Sequence, residues 1–150
     1  MDSPTIAPLL AGQVLGSHHT SFVVAEWQDA GAPPGPRRWI APKHVHHKDD
    51  EAWYVLEGVL GVLVGDKEVE ARAGAAVMVP RGTPHTYWNA GPGRLRYLLV
   101  MTANIHLLIQ GIHALKEKTP AALKEVFAKH DSECFKTLNQ TEIADGLDRL

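Results

Sequence analysis

His44 and His46 stand one residue apart. In a β-strand alternate side chains share a face, so both imidazoles can project into one interior. Glu51 follows His46 after four residues, and a bend through residues 47–50 returns it to that face. His85 lies in Pro80-Arg81-Gly82-Thr83-Pro84-His85, where a Pro/Gly turn breaks one strand and begins the next with the imidazole aimed inward. Three imidazoles and a carboxylate converging in this way form an N₃O donor set for one divalent transition metal: Fe, Mn, Ni, Cu or Zn. Four protein ligands leave coordination positions for water, O₂ or substrate, and Glu51 either stays on the metal or swings off it as a general base.

The chain holds nine histidines, and most of them need no such role. His18, His19, His106, His113 and His130 read as ordinary surface or core residues. His47 falls on the opposite strand face and belongs to a polar rim. What sets the other four residues apart is the whole spacing, His44-x-His46-x₄-Glu51-x₆-Gly58 and then Gly74-x₅-Pro80-x-Gly82-x₂-His85-x₃-Asn89. Ordinary residue frequencies make the second string alone a coincidence on the order of one in a million per starting position. Gly58, Gly74, Pro80 and Gly82 read as turn formers, and Asn89 as a residue that ties down a loop by hydrogen bonds.

The two strings closely resemble the paired motifs of the cupin superfamily, over about residues 35–101. One position departs from the pattern: Arg38 stands where the first motif opens with a glycine, and Gly35 is the nearest glycine before it. The resemblance implies a mainly β chain, a jelly-roll or double-stranded β-helix barrel of about six to eight antiparallel strands. It also implies a metal held by His44, His46, Glu51 and His85. The runs at residues 82–89 and 98–102, with the helical tail behind them, are similar to single-domain bacterial quercetin-dioxygenase-like cupins. That narrower likeness implies oxygenation of a small phenolic or enol-type substrate. A metal-dependent isomerase, lyase or decarboxylase would use the same ligands, and a non-enzymatic small-molecule-binding cupin is the third reading.

The elements that must carry these residues are legible in the pattern. Residues 21–27, 39–42, 52–56, 60–64, 68–71, 75–79, 86–88 and 95–101 read as short strands between Gly and Pro breaks, the spacing of an antiparallel barrel. Gly65-Asp66 is a two-residue hairpin signal. After Thr102 the pattern turns helical. Residues 106–115 read as a helix despite Gly111, and Thr119-Pro120 is an N-cap with proline at the first position. Leu123, Val126, Phe127 and His130 then recur at helical spacing, and a last helix starts at Asn139 with Glu142 completing its cap. One domain is expected, with a barrel over about residues 10–103 and a helical extension over 104–150, packed outside the barrel or across a partner.

Period-2 alternation puts Tyr87 and Asn89 on the face of His85, and Trp53 and Val55 on that of Glu51. Trp39, Met78 and Tyr97 join Trp53 and Tyr87 as pocket candidates, with Phe22 and Met101 behind them. An apolar, aromatic lining suits a small aromatic or enol-type ligand better than a phosphorylated one, and no P-loop is present.

Composition agrees. Hydrophobic residues make up 45% and charged ones 21%, enough for a packed core. A net charge of −2 with no basic stripe argues against nucleic acid. No apolar stretch approaches bilayer length, residues 1–15 lack a basic segment before an apolar run, and Cys134 is the only cysteine, so a cytoplasmic chain is expected. Edge strands that need covering lead to the expectation of a homodimer.

Overall fold

Alternation of apolar and polar side chains lays down the strands. In Leu95–Thr102 the residues Leu95, Tyr97, Leu99 and Met101 are buried and the intervening ones are half-exposed. In Phe22–Asp29 the buried set is Val23, Ala25 and Trp27. Such strands must hide one face, and an antiparallel pair of sheets does so. The computed structural model describes residues 5–9 and 13–135. In chain order these form β1 (Val14–Leu15), β2 (Phe22–Asp29), β3 (His44–His46), β4 (Glu51–Glu57), β5 (Val59–Val64), β6 (Lys67–Arg72), β7 (Ala76–Val79), β8 (His85–Asn89) and β9 (Leu95–Thr102). The helices α1 (Ala103–Ala114) and α2 (Pro120–Lys129) and a last strand β10 (Ser132–Cys134) follow. One sheet has the order β1-β2-β9-β4-β7, the other β10-β3-β8-β5-β6, and every pairing is antiparallel. The mainly β jelly-roll expected from the sequence is the fold observed.

The β5–β6 hairpin turns through Gly65-Asp66, with Gly65 at φ +63° and Val64 paired to Lys67. Glycine in the left-handed region at the first loop position matches the twist of the flanking strands. Gly58, Gly74 and Gly82 also take positive φ, so the turn-forming reading of the motif glycines holds. Asn89 holds its loop as expected. Its Nδ2 donates to Gly93 O (2.8 Å) and Asp29 Oδ1 (3.2 Å), and its Oδ1 accepts from Gly91 N (3.1 Å). Residues 39–42 are not a strand. Prolines 36 and 42 bracket them, so the segment keeps one isolated bridge, Trp39 to Trp88, and an Ile40 N–H bond to Tyr87 O (2.9 Å).

The tail departs most from the sequence reading. α1 begins at Ala103, three residues earlier than the periodicity suggests, because Thr102 accepts from Ile105 N (3.2 Å) as its N-cap. Thr119 caps α2 as predicted. Gly111 has a packing reason: a Cβ there would lie 2.8 Å from Val126 Cγ2, so glycine lets the two helices approach. The helices do not lie against the outer face of a sheet. Ile105 and Ile109 join the barrel core, while Leu108 and Ile112 pack with Leu123, Val126 and Phe127, so α1 and α2 roof one end of the barrel. β10 then pairs with β3, a strand the sequence does not announce. The helix expected from Asn139 lies outside the described residues.

Candidate metal centre

β3 and β8 of one sheet deliver the histidines, and the first residue of β4, in the other sheet, delivers Glu51. His44 pairs directly with His85 across β3 and β8. Alternation puts His46 on the face of His44, and the bend after β3 brings Glu51 to the same point. The two motif loops are bolted together. Gly82 N donates to His46 O (2.7 Å), and Arg81 binds Asp50 through its backbone N (2.9 Å), Nε (3.1 Å) and Nη2 (2.9 Å). Ligand atoms of His44, His46, Glu51 and His85 then lie within 4.8 Å of one another. Metal–nitrogen bonds of about 2.1 Å span such a set after a small inward adjustment.

Hydrogen bonds fix the tautomers. His44 Nδ1 donates to Pro42 O (2.7 Å) and His85 Nδ1 to Thr83 O (2.9 Å), since a carbonyl only accepts. Ser132 Oγ donates to His130 O (3.0 Å), so it accepts from His46 Nδ1 (2.8 Å). All three rings therefore turn an Nε2 lone pair toward the centre. His46 Nε2 is buried with no hydrogen-bond partner among the described residues, and Glu51 Oε2 lies 3.4 Å from it and 3.0 Å from His85 Nε2. The four side chains are between 1% and 6% exposed. Buried lone pairs facing a buried carboxylate repel unless a cation sits between them. A proton on an imidazole serves that purpose, and so does a dication; the donor set fits a transition metal.

Electrostatics follow from burial and crowding. Burial, with the neighbouring His85 and His46, pushes His44 well below the usual histidine range and keeps it neutral, the state a ligand needs. Burial also pushes Glu51 upward, but the close His46 and His85 rings outweigh it and hold the carboxyl below its ordinary range. Tyr87 and Tyr97 are held protonated, chiefly by burial.

The roof leaves a cavity of about 20 Å³ over the ligands, closed by Leu99, Ile105, Leu108, Ile109, Ile112 and Phe127, and the Phe127 ring stands 6.0 Å from that of His44. Among the described residues no lysine or arginine lines it. Of the pocket candidates, Tyr87 lines this cavity. Trp53 and Tyr97 are buried beside it: Trp53 packs on His85 (5.8 Å) and Tyr87 (5.2 Å), and Tyr97 on Tyr87 (5.8 Å). Met78 is a correction. It pairs with Ala52, one residue out of phase with Glu51, so it faces outward and is 64% exposed. Phe22 pairs with outward-facing Thr102 and is exposed as well. Trp39 is also corrected: its ring meets Trp88 (5.3 Å) on the outer side of the ligand sheet, under the Arg37 guanidinium. The roof residues and Ser132 were missed as site residues. The stripe of α2 was visible, but periodicity shows that a face is buried and not what buries it.

Among the described residues no helix is long and apolar enough to cross a membrane. No curated protein matches the chain. Among solved structures it is similar to an uncharacterized conserved protein with a double-stranded beta-helix domain from Klebsiella pneumoniae, with 22% identity over 61% of this chain and 70% of that one and a TM-score of 0.50. A putative sugar phosphate isomerase from Acidithiobacillus ferrooxidans is 21% identical over 55% of this chain, with a TM-score of 0.47. The polyketide cyclase RemF from Streptomyces resistomycificus is 29% identical over 55% of each chain, with a TM-score of 0.44. The chain spans about half the length of the isomerase chain, 51%. The Klebsiella likeness speaks for the fold alone. Residues 35–101, the segment of this jelly-roll fold that carries all four converging side chains, match the family described as Cupin domain.

Proposed function

We propose that the protein is a metal-dependent dioxygenase acting on a small, uncharged phenol or enol. The observation that carries this reading is the pairing of a 3-His-1-carboxylate set with an apolar roof. A phosphorylated substrate would need a cation at the cavity, and among the described residues no lysine or arginine lines it. An apolar chamber admits O₂ and excludes bulk water.

His44, His46, Glu51 and His85 would hold the metal. The metal, when bound, supplies Lewis acidity and an electron path between substrate and O₂. Glu51 accepts the substrate's hydroxyl proton at Oε2, leaving an anionic oxygen that the dication favours. A cavity of about 20 Å³ has room for about one water, so the roof must part to admit a carbon skeleton and excludes bulk water when closed. Both atoms of O₂ enter the product, so the substrate provides the electrons and no external reductant is consumed. The working unit is proposed to be a homodimer, and sedimentation of a monomer would count against that.

The test is oxygen uptake by protein loaded in turn with Fe(II), Mn(II), Ni(II) and Cu(II), offered small phenols and enolisable dicarbonyls. Uptake matched one to one with substrate loss supports the reading. Substrate conversion without uptake overturns it in favour of an isomerase or lyase. Glu51→Gln is expected to lower uptake more than metal content, whereas equal losses would make Glu51 a ligand only.

A further inference from the structure

The motifs that mark the metal centre end within the barrel, yet one of its histidines is held by a residue from beyond them. After α2 the chain reverses at Asp131, whose φ of +52° is a left-handed turn that aspartate tolerates, and its carbonyl accepts from His47 N (2.8 Å). β10 then runs antiparallel to β3, placing Ser132 opposite His46 and Cys134 opposite His44. Ser132 is 6% exposed. Its Oγ accepts from His46 Nδ1 at 2.8 Å while donating to His130 O at 3.0 Å. That second bond makes Ser132 an obligate acceptor toward the ring, and the ring's other nitrogen is the partnerless Nε2.

The chain of bonds continues. His130 O also accepts from Asn104 Nδ2 (3.0 Å), and His130 Nδ1 donates to Asn104 Oδ1 (2.9 Å). Asn104 Nδ2 reaches Asp49 Oδ2 (2.8 Å), whose other oxygen accepts from Thr102, the N-cap of α1 (2.8 Å). One side of the centre is thereby tied to the start of α1 and the end of α2.

We infer that Ser132 is a positioning residue for the metal: it holds His46 in the tautomer and rotation that present Nε2, and so makes the post-barrel tail part of the centre. His44 and His85 take the same instruction from carbonyls of their own loops, at Pro42 and Thr83. Only His46 depends on a distant segment, 86 residues away in sequence. Loss of the acceptor leaves the ring free to carry its proton on Nε2, where it cannot bind a cation. Partners of this kind are typically worth about 10- to 100-fold in metal affinity.

The inference rests on the metal reading of the four ligands, and the experiment separates the two. Cobalt(II) is titrated into wild type, Ser132→Ala and Ser132→Thr against a competing chelator, with the visible spectrum and the apo-protein melting temperature recorded. A 10-fold or greater loss of affinity and a changed spectrum in Ser132→Ala, with recovery in Ser132→Thr, support the assignment. If Ser132→Ala binds within twofold of wild type with the same spectrum, only the positioning role falls, even if its melting temperature drops. Wild type that binds no metal overturns both. Should Ser132→Ala fail to fold, Asn104→Ala, one step further along the chain, must still weaken cobalt binding by a few-fold, and an unchanged affinity overturns the inference.

Discussion

The barrel and the tail that follows it contribute to one centre by different means. Residues 35–101 supply the four converging groups that could hold a metal: three Nε2 atoms and the Glu51 carboxylate, from β3, β8 and β4. The tail from Ala103 to Cys134 supplies no ligand, but it closes the cavity with Ile105, Ile109 and Phe127 and sets the His46 ring through Ser132. The barrel part is stiff because each ligand lies in or beside a paired strand and the loops are bolted through Arg81 and Asp50. The tail is held to it by side-chain packing, one short strand and the hydrogen bonds that join Asn104 to Asp49 and Ser132 to His46. On the proposed reading, binding power resides in the sheets, while access and fine geometry reside in the tail.

The largest expected effect lies in the barrel. His85→Ala, or His44→Ala, is expected to abolish stoichiometric metal binding by elemental analysis while the far-ultraviolet circular dichroism stays that of a folded β protein. Unchanged metal content would break the assignment. The roof comes next. Phe127→Ala removes a ring that is 2% exposed and faces His44, so a stability loss of about 3 kcal/mol is expected in urea unfolding. Metal content should persist and catechol should associate faster with the metal-loaded protein. If Phe127→Ala loses its metal as completely as His85→Ala, the division between sheet and roof fails.

The smallest effect concerns the bolt between the loops. The hydrogen bonds from Arg81, side chain first and backbone second, bring the Asp50 carboxyl down from 3.8 to about 2. A depressed folded value means that the contact stabilises the fold above the unfolded value of 3.8 and is lost as the pH falls toward about 2. Carboxyl titration by nuclear magnetic resonance should show that midpoint, and Arg81→Ala should return it toward the ordinary range with only a slight loss of metal affinity. An Asp50 that titrates normally in the native protein would remove the bolt.

The pocket candidates show where reading the chain stops. Tyr87 and Trp53 are buried beside the cluster because they keep the two-residue phase of His85 and Glu51. Met78 and Phe22 failed because their strands' phase is set by their partners, Ala52 and Thr102, and local sequence does not show which residue a strand will face. The bulge between Val55 and Glu57 falls after Trp53 and Val55 and leaves both inside. Gly111 counts against α1 on propensity alone, yet a Cβ there would lie 2.8 Å from Val126 Cγ2 of α2.

By itself the chain determined the donor set, since spacing in a strand fixes which side chains share a face and the Pro/Gly turn before His85 fixes where the next strand starts. It also determined the turns, the Thr119 cap and the β character of the first two thirds, all of which are local properties. Tertiary structure decided the rest: that both sheets meet at Glu51, that α1 and α2 form a roof, and that Ser132 reaches His46. Those are contacts between segments far apart in the chain, and their geometry follows from the packing of whole faces rather than from any short run of residues.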